Sequence, residues 1–348
     1  MRLQRPCGSF DTRYEHDMRI LRTKTQWGLL GALLVFVFIL PLFGSSYVLS
    51  MMNGVGITLI AVMGLQLLTG YSGQFSLGQS AFVGVGAYSS AILSRSFGFP
   101  FWAALPCAAL CAGIAGLVFG IPAFRLKGFY LALSTIAAQF VFVFVVMHLP
   151  VSLAGGVWGL HVEAPRLGGF VFKTDGSMYY IIMVLVVLTT IAAKNLVRTK
   201  VGRAFVAIRD NDLAAQTMGV NLLRYKLLAF FLCSLYAGIA GSLFAHYYTY
   251  VSVEGFTLWF SIWYVGMLIV GGLGSISGAI FGVGLLKGLE AIVIEVGPAL
   301  GGGGGLVYPI LNILFALVIM VFLIFEPRGL AHRWETLKAS YRLWPFSY

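Results

Sequence analysis

The most informative property of this sequence is its shortage of charge. Only 10% of its 348 residues are Asp, Glu, Lys or Arg, whereas a soluble domain carries about 25%. Hydrophobic residues make up 59% of the chain, and its mean hydropathy is +0.91. This composition excludes a water-soluble globular protein and indicates one integral membrane domain, with no room for a second, soluble domain.

Motifs of enzymes and metalloproteins are also missing. The four cysteines do not form a disulfide framework. There is no Gly-rich phosphate loop ending in Gly-Lys-Ser/Thr and no His-Glu-x-x-His motif. The chain is therefore expected to be neither an ATPase nor another enzyme, and to hold no metal ion or cofactor of its own.

Long apolar runs are what the sequence does contain, and a run of roughly 20 residues can cross a bilayer as a helix. They predict an all-α, polytopic membrane bundle with about ten transmembrane spans. The runs lie at residues 27–43, 47–69, 76–94, 99–120, 130–149, 178–193, 226–248, 257–270, 276–296 and 307–325. The chain thus divides into an N-terminal extension (1–26), a transmembrane domain (27–325) and a C-terminal tail (326–348).

The distribution of basic residues orients these spans. With ten spans, 19 of the 23 Lys and Arg residues fall on the side of the N-terminus, together with 7 of the 12 acidic residues. Because loops rich in Lys and Arg stay in the cytoplasm, both termini are predicted to be cytoplasmic. The same bias explains the net charge of +11 without a nucleic-acid partner.

A glycine-rich stretch, GYSGQFSLGQSAFVGVGAYSSAIL, occupies residues 70–93 and contains no charge. Its second part carries small residues, including Gly84 and Ala87, that allow close helix packing in membranes. Polar side chains are concentrated in its first part, where they would be costly in hydrocarbon. They favour a helix break that faces a polar translocation path, lined by Ser72, Gln74, Ser76, Gln79 and Ser80.

A second stretch, Gly274–Gly284, echoes the first one near the start of the ninth span. Paired glycine-interrupted segments predict an internal repeat around a transport path, and Gly278 and Gly282 are further candidates for helix packing. Lys287 and Glu290 follow in the same span, three residues apart, so they share a helix face and can pair. The pair is interpreted either as a structural ion pair or as polar lining of the path.

The longest polar stretch between spans, residues 194–226, is predicted to be cytoplasmic. Within it, GRAFVAIRDNDLAAQTMGVN (202–221) mixes apolar and charged residues, which indicates a short amphipathic helix or helix pair that ends at Gly219. Such a helix can rest on lipid headgroups. Its acidic residues Asp210 and Asp212 instead favour a docking site for a cytoplasmic protein.

Four stretches resemble a known family. Residues 202–221, 70–88, 125–137 (RLKGFYLALSTIA) and 326–331 (EPRGLA) resemble the permeases of ABC importers for branched-chain amino acids, and the LivM-type subunit most of all. The resemblance covers nearly all of residues 47–331. Two positions differ from that family, in which His is frequent at Gln79 and Glu at Gln216.

The resemblance implies a subunit that moves branched-chain amino acids, or small polar solutes such as other amino acids or urea, across a bacterial inner membrane. The implied partners are a homologous second permease subunit, two cytoplasmic ATPase subunits that bind ATP, a periplasmic substrate-binding protein, and membrane lipid. The alternative is a stand-alone secondary transporter or channel with the Lys287–Glu290 pair in its path. The implied ATPase-coupling residues are Gly202, Arg203, Phe205, Ile208, Arg209, Asp210, Asp212, Leu213, Ala214 and Gly219.

Overall fold

The computed structural model describes residues 24–126, 128–167, 170–296 and 307–343. Most of the predicted N-terminal extension (1–23) and the last five residues of the tail lie outside the described residues. The helices of the described chain are α1 (Lys24–Phe43), α2 (Ser46–Leu65), α3 (Gln79–Ser96), α4 (Phe101–Gly120), α5 (Phe129–His148), α6 (Val151–Ala154), α7 (Asp175–Arg198), α8 (Lys200–Asp210), α9 (Asp212–Thr217), α10 (Leu222–Tyr248), α11 (Leu258–Gly271), α12 (Ile276–Val296), α13 (Val307–Phe325) and α14 (Gly329–Leu343).

Seven helical segments within the described residues are long and apolar enough to cross a membrane, or eight if the bent pair α13–α14 counts as one span. The seven are α2 with its continuation to Tyr71, α4, α5, α7, α10, α11 and α12. All ten predicted runs fall on helices. However, the apolar part of α1 is short (Leu30–Phe43), and α3, rich in Gly and Ser, is not among the seven. The fold is therefore an all-α polytopic membrane bundle with fewer clear spans than predicted.

Two short antiparallel strand pairs interrupt the helical architecture. β1 (Leu160–His161) pairs with β4 (Tyr250–Val251), and β2 (Arg166–Leu167) pairs with β3 (Phe170–Val171). The β1–β4 pair joins the segment after α5 to the segment after α10. The charge pattern predicts both of these segments to lie outside the cell, so their contact agrees with that prediction.

The core forms around α10, which packs against α2, α3 and α4. Asn221 begins this helix because its side-chain oxygen accepts a hydrogen bond from the Arg224 backbone N–H at 3.1 Å, the usual N-cap arrangement. Small buried side chains, among them Ala237 and Ala245, face the neighbouring helices. Helix α10 can therefore lie close to three other helices at once.

Backbones come closest between α10 and α3. A Cβ atom on Gly241 would lie 2.0 Å from the carbonyl oxygen of Val83, and one on Gly86 would lie 2.5 Å from the Cα of Gly238. These contacts are made with main chain, which cannot rotate away as a side chain can. Glycine is thus required at both helices for this degree of approach.

The packing residues predicted in α3 also lie in tight contacts. A Cβ on Gly84 would meet the Phe142 ring of α5 at 2.3 Å. Ala87 is fully buried, and its backbone nitrogen lies 2.7 Å from the position that a Cβ on Gly241 would take. Gly84 therefore accommodates an aromatic side chain, whereas Ala87 lies beside a neighbouring backbone.

The same principle joins α11 to α12. A Cβ on Gly282 would lie 2.0 Å from the Met267 carbonyl oxygen, and one on Gly278 would lie 2.6 Å from the Gly272 carbonyl oxygen. Gly271 faces them, because its own Cβ would lie 2.0 Å from the Gly278 carbonyl oxygen. The two helices thus form a hairpin whose tight contact depends on glycines from both sides.

Helix α3 lies along α10 although its hydropathy is modest. Its 18 residues give a length of about 27 Å. Near its C-terminal end, the Oγ of Ser94 lies 3.2 Å from Nε2 of His246, and the Oγ atoms of Ser90 and Ser242 lie 2.8 Å apart. The hydroxyls of Ser90 and Ser94 are therefore satisfied by α10 rather than by water, as an apolar surrounding demands.

Large apolar side chains cover the outside of the bundle. Phe140 and Phe144 of α5 and Ile313, Leu323 and Ile324 of α13 are all exposed. Soluble proteins rarely expose continuous apolar surface of this kind. Lipid is the environment that such a surface fits.

We predict that Gly241→Leu destabilises the bundle by more than about 3 kcal/mol, because the new side chain would displace the backbone of α3. The matched control is Gly284→Leu, since no atom lies within 4 Å of a Cβ placed at Gly284. Thermal unfolding of the two purified variants in detergent provides the measurement. Equal melting temperatures would contradict the close-packing interpretation.

Candidate functional site

A break separates α2 from α3. The last turn of α2 widens into a π-helix, Gln66–Tyr71, and an irregular segment, residues 72–78, precedes α3. This segment alternates between buried and less buried positions. Irregular backbone in a membrane protein is tolerated only where protein or water satisfies its polar groups, so its hydrogen bonds are what keep the break in place.

All five residues predicted to line a path are buried, namely Ser72, Gln74, Ser76, Gln79 and Ser80. Several of them stabilise the break itself. The Nε2 of Gln74 donates to the Oγ of Ser72, and the Gly78 backbone N–H donates to the Oγ of Ser76 at 3.3 Å. Thr135 of α5 adds a bond from outside the segment, because its Oγ1 accepts from the Leu77 N–H at 2.9 Å.

Gln79 connects three helices at the start of α3. Its Nε2 donates to the Ala61 carbonyl oxygen of α2 at 2.8 Å, and its Oε1 accepts a hydrogen bond from the Cys233 thiol of α10 at 3.1 Å. Both ends of the amide are therefore paired. The residue holds the first turn of α3 against the core.

Ser80 extends this network to α11 and α5. Its backbone N–H donates to the Oγ of Ser261 at 2.9 Å, and the Ser261 hydroxyl donates to Oε1 of Gln139 at 3.4 Å. Gln139 in turn donates to the Phe256 carbonyl oxygen. Sequence reasoning missed Ser261 and Gln139, although a glutamine within a predicted span is itself a signal.

Two atoms of the buried segment have no protein partner: the Oγ of Ser80 and the Oε1 of Gln74. Buried polar atoms in proteins are normally paired. These two atoms are therefore the positions at which the break can accept a further hydrogen bond from a polar molecule.

Lys287 and Glu290 form the ion pair that their spacing predicts, with Nζ and Oε2 2.7 Å apart and each side chain 25% exposed. The pair lies on α12. Among the residues that the structure describes, no hydrogen bond or ion pair joins it to the buried residues 72–80. The structure thus shows no direct bond between the two groups that were predicted to line a path.

The segment predicted to be cytoplasmic, residues 194–226, contains two short helices, α8 and α9. Thr199 caps α8, and a Cβ on Gly202 would lie 2.1 Å from the Val197 carbonyl oxygen, so the sharp turn from α7 needs glycine. Asn211 caps α9 by accepting from the Ala214 N–H at 3.1 Å. Gly219, with φ of 84°, ends that helix as predicted.

Apolar residues of this segment point in different directions. Phe205 and Ile208 of α8 are buried in the chain's own core, whereas Leu213 is 67% exposed and Met218 is 87% exposed. The sequence predicted that this segment is a docking site for a partner protein. The structure instead leaves α9 and the residues after it as the exposed apolar surface, with Ala214 beside Leu213 also exposed.

The two acidic residues also differ. Asp212 lies 4.0 Å from Nζ of Lys226, whose side chain is only 7% exposed. Asp210 is largely exposed and contacts its neighbour Arg209 at 3.0 Å. Asp212 therefore holds α9 on α10, which the prediction of a docking charge did not foresee. Arg203 is exposed on α8.

Arg209 connects α8 to both glycine-rich segments. Its Nη1 donates to the Gly70 carbonyl oxygen at 3.1 Å and would lie 2.9 Å from a Cβ on Gly274. The segments themselves touch, because a Cβ on Gly70 would lie 2.6 Å from the Gly274 nitrogen. The two stretches whose sequences echo each other thus meet in space beside the amphipathic helix.

Comparison with known proteins gives a consistent result. Residues 47–325 match the family model described as branched-chain amino acid transport system / permease component. No solved structure matches the chain. The match runs from the start of α2 to the end of α13.

Three curated relatives are similar to the chain. It is 33% identical to the high-affinity branched-chain amino acid transport system permease protein LivM of Escherichia coli and 32% identical to that of Salmonella typhimurium, each over 270 residues. These alignments cover 71% of this chain but 63% of each relative's length. A probable permease protein LivH of Methanocaldococcus jannaschii is 26% identical over 269 residues, 75% of this chain and 84% of that protein.

We predict that Asp212→Lys lowers the stability of the folded chain by about 2–3 kcal/mol, because it replaces the carboxylate beside the buried Lys226 ammonium with a second cation. Gln216→Lys adds a charge at an exposed position of the same helix and is expected to be neutral. Melting temperatures in detergent compare the two. If Asp212→Lys melted with the control, the ion pair would have no role in holding α9.

Proposed function

The chain belongs to the family of branched-chain amino acid transport system permease components, and from this premise we propose that it is the transmembrane permease subunit of an ABC importer. Separate cytoplasmic subunits would bind and hydrolyse ATP, because the sequence has no phosphate loop. The solute would be a branched-chain amino acid or a related small polar molecule, such as another amino acid or urea. The membrane would be a bacterial inner membrane.

One observation carries the proposal: the exposed apolar residues of α9 are joined through α8 to the breaks before α3 and α12. Leu213 and Met218 offer anchors of the kind that a groove on a partner takes up. Arg209 contacts Gly70 on the other side of the segment. A protein bound at α9 could therefore act directly on the helix breaks.

Further subunits complete the proposed assembly. A second, homologous permease would pair with this chain in the membrane, and two ATPase subunits would dock on the cytoplasmic side. A periplasmic substrate-binding protein would deliver the solute. Lipid would cover the exposed apolar side chains of α5 and α13.

Ten crossings with both termini in the cytoplasm form part of the proposal. Helix α3 is long enough to cross and is accompanied by α10 over its length. Segments that the charge pattern assigns to the cytoplasm also meet one another, since a Cβ on Gly329 would lie 2.5 Å from Gly272 and Arg209 reaches Gly70. The β1–β4 pair joins the opposite loops. These contacts support one shared cytoplasmic side.

A stand-alone secondary transporter or channel remains the second candidate. Its supporting observation is the partly exposed ion pair of Lys287 and Glu290 within α12, because intramembrane charges usually mark ion or substrate pathways. Such a protein would need no ATPase. Uptake that continues without ATP in vesicles containing this chain alone would favour it.

For topology, we predict that a cysteine at Gln216 in a variant without native cysteines resists a membrane-impermeant maleimide in intact cells. A cysteine at Lys173, which is exposed between β3 and α7, should react. Permeabilised cells provide the control in which both positions react. The reverse pattern in intact cells would refute the orientation.

For function, we predict that Leu213→Asp combined with Met218→Asp abolishes copurification of the ATPase and ATP-dependent leucine uptake in proteoliposomes. Charged side chains at apolar anchor positions oppose burial at an interface. Gln216→Asp adds charge to the same exposed surface without removing an anchor, and it should retain both properties. Wild-type uptake by the double variant would remove this surface from the coupling role.

A further inference from the structure

Arg209 was expected to face an ATPase partner, yet its side chain reaches back into its own chain. Its Nη1 donates to the Gly70 carbonyl oxygen at 3.1 Å. Gly70 lies in the π-helical end of α2, where helix carbonyls lack the donors that a continuing helix would supply. The guanidinium thus supplies a donor that the broken helix does not provide.

Glycines make room for this side chain on two sides. A Cβ on Gly73 would lie 2.8 Å from the Cγ of Arg209, and a Cβ on Gly274 would lie 2.9 Å from its Nη1. Both glycines have positive φ angles, 70° and 79°, which other residues adopt only with strain. Arg209 therefore occupies a space that exists only because both segments carry glycine there.

The end of α2 and the turn before α12, which adjoin the two glycine-rich stretches, are also bonded to each other. Nε2 of Gln66 donates to the carbonyl oxygens of Gly272 and Ser275, at 3.1 and 2.7 Å. This bond joins the end of α2 to the turn before α12. Arg209 adds α8 to the same contact, so three cytoplasmic segments meet at one point.

Asp210 sets the direction of the guanidinium. Its Oδ1 lies 3.0 Å from both Nε and Nη2 of Arg209, which neutralises the charge and leaves Nη1 for Gly70. The two side chains are 38% and 63% exposed. The contact thus lies at the surface of α8, next to the start of α9, where a displacement of the segment would act on it directly.

Space for movement is present beside the turn. A cavity of about 550 Å³ is lined by Tyr71, the turn Gly272–Ser275, and Arg328, His332 and Glu335 around the start of α14. The turn therefore packs against Arg209 and also borders free volume into which it can move. Gly272 and Gly274 of the turn have positive φ angles and are small residues of the kind that often absorb hinge changes.

We propose that Arg209 is a positioning residue that makes the breaks before α3 and before α12 move together with α8. The inference rests on the proposed function, since the ATPase would supply the movement of α8. Displacement of the helix would carry the Gly70 carbonyl and the Gly274 turn with it. The starts of α3 and α12 would then shift as one unit rather than independently.

The first test measures leucine uptake per ATP hydrolysed in proteoliposomes containing the purified complex. Arg209→Gln should lower this ratio roughly tenfold, within the range of coupling energies between sites, and Gly274→Ala should do so by displacing the guanidinium. Arg224→Gln removes the same charge from an exposed position of the same loop and should keep the wild-type ratio. A wild-type ratio in either Arg209→Gln or Gly274→Ala would overturn the proposal. Loss of the assembled complex in both would overturn it in favour of a purely structural role.

A second test needs no ATPase and so separates this inference from the proposed function. A nitroxide attached to a cysteine at Leu273, an exposed position of the turn, reports its mobility in membranes containing the full chain. Arg209→Gln should increase that mobility, whereas Arg224→Gln should leave the spectrum unchanged. Identical spectra for Arg209→Gln and the unaltered chain would refute the link between α8 and the turn. If mobility rises but the unaltered complex shows no ATP-dependent uptake, the proposed function fails and the contact stands.

Discussion

The constraint on which the rest of this structure depends is the need to satisfy backbone polar groups where a helix breaks inside an apolar bundle. Between α2 and α3 the chain leaves helical geometry for several residues and remains largely buried. The hydrocarbon of a bilayer offers no hydrogen-bond partner to such groups, and side chains from four other helices are directed to them or to their neighbours. Gln79 bonds to α2 and α10, and Ser261 of α11 accepts from the first turn of α3. The position of α3 is thereby fixed by polar contacts, and the small residues then decide how close its neighbours lie.

Those small residues explain why a helix as polar as α3 can belong to the interior. In a membrane the hydrophobic effect does not drive helices together, so packing and hydrogen bonds must do so. Glycines in α3 and α10 bring the two backbones into contact, and the serines of α3 then reach partners such as Ser242 and His246. At an ordinary helix separation, neither the backbone contacts between α3 and α10 nor the hydrogen bonds of these serines could form. The two therefore depend on each other.

Much of this could be predicted from the sequence, and the failures have identifiable physical causes. Apolar runs located every long helix except α14, which lies in the predicted tail, and the glycine spacing of α3 and α12 located tight contacts. The i, i+3 spacing predicted the Lys287–Glu290 pair. Burial within the amphipathic segment, residues 202–221, could not be predicted in the same way. An amphipathic pattern says that one face is apolar, but it does not say whether the chain itself or a partner covers that face. Phe205 and Ile208 are covered by the chain, whereas Leu213 is not. The partner of Asp212 is Lys226, a residue on the following helix that no local pattern connects to it.

In α10, the four-residue spacing of Ala237, Gly241 and Ala245 was a signal in the sequence that this helix packs at the centre of the bundle.

The contact of Arg209 shows how the two glycine segments differ from the rest of the interior. Gly241 and Gly282 face backbone within the body of helices, where displacement is opposed along the whole length of both partners. Gly73 and Gly274 lie beside helix ends and face the Arg209 side chain, and Gly274 also lines a cavity. Tight packing along a helix resists motion, whereas tight packing at a break transmits it, because the break is where backbone angles can change at little cost. The bundle therefore combines a rigid centre around α10 with breaks at one end that are bonded to each other and to α8. An exposed segment attached at that end has a direct mechanical connection to the starts of α3 and α12 while the packed centre keeps its arrangement.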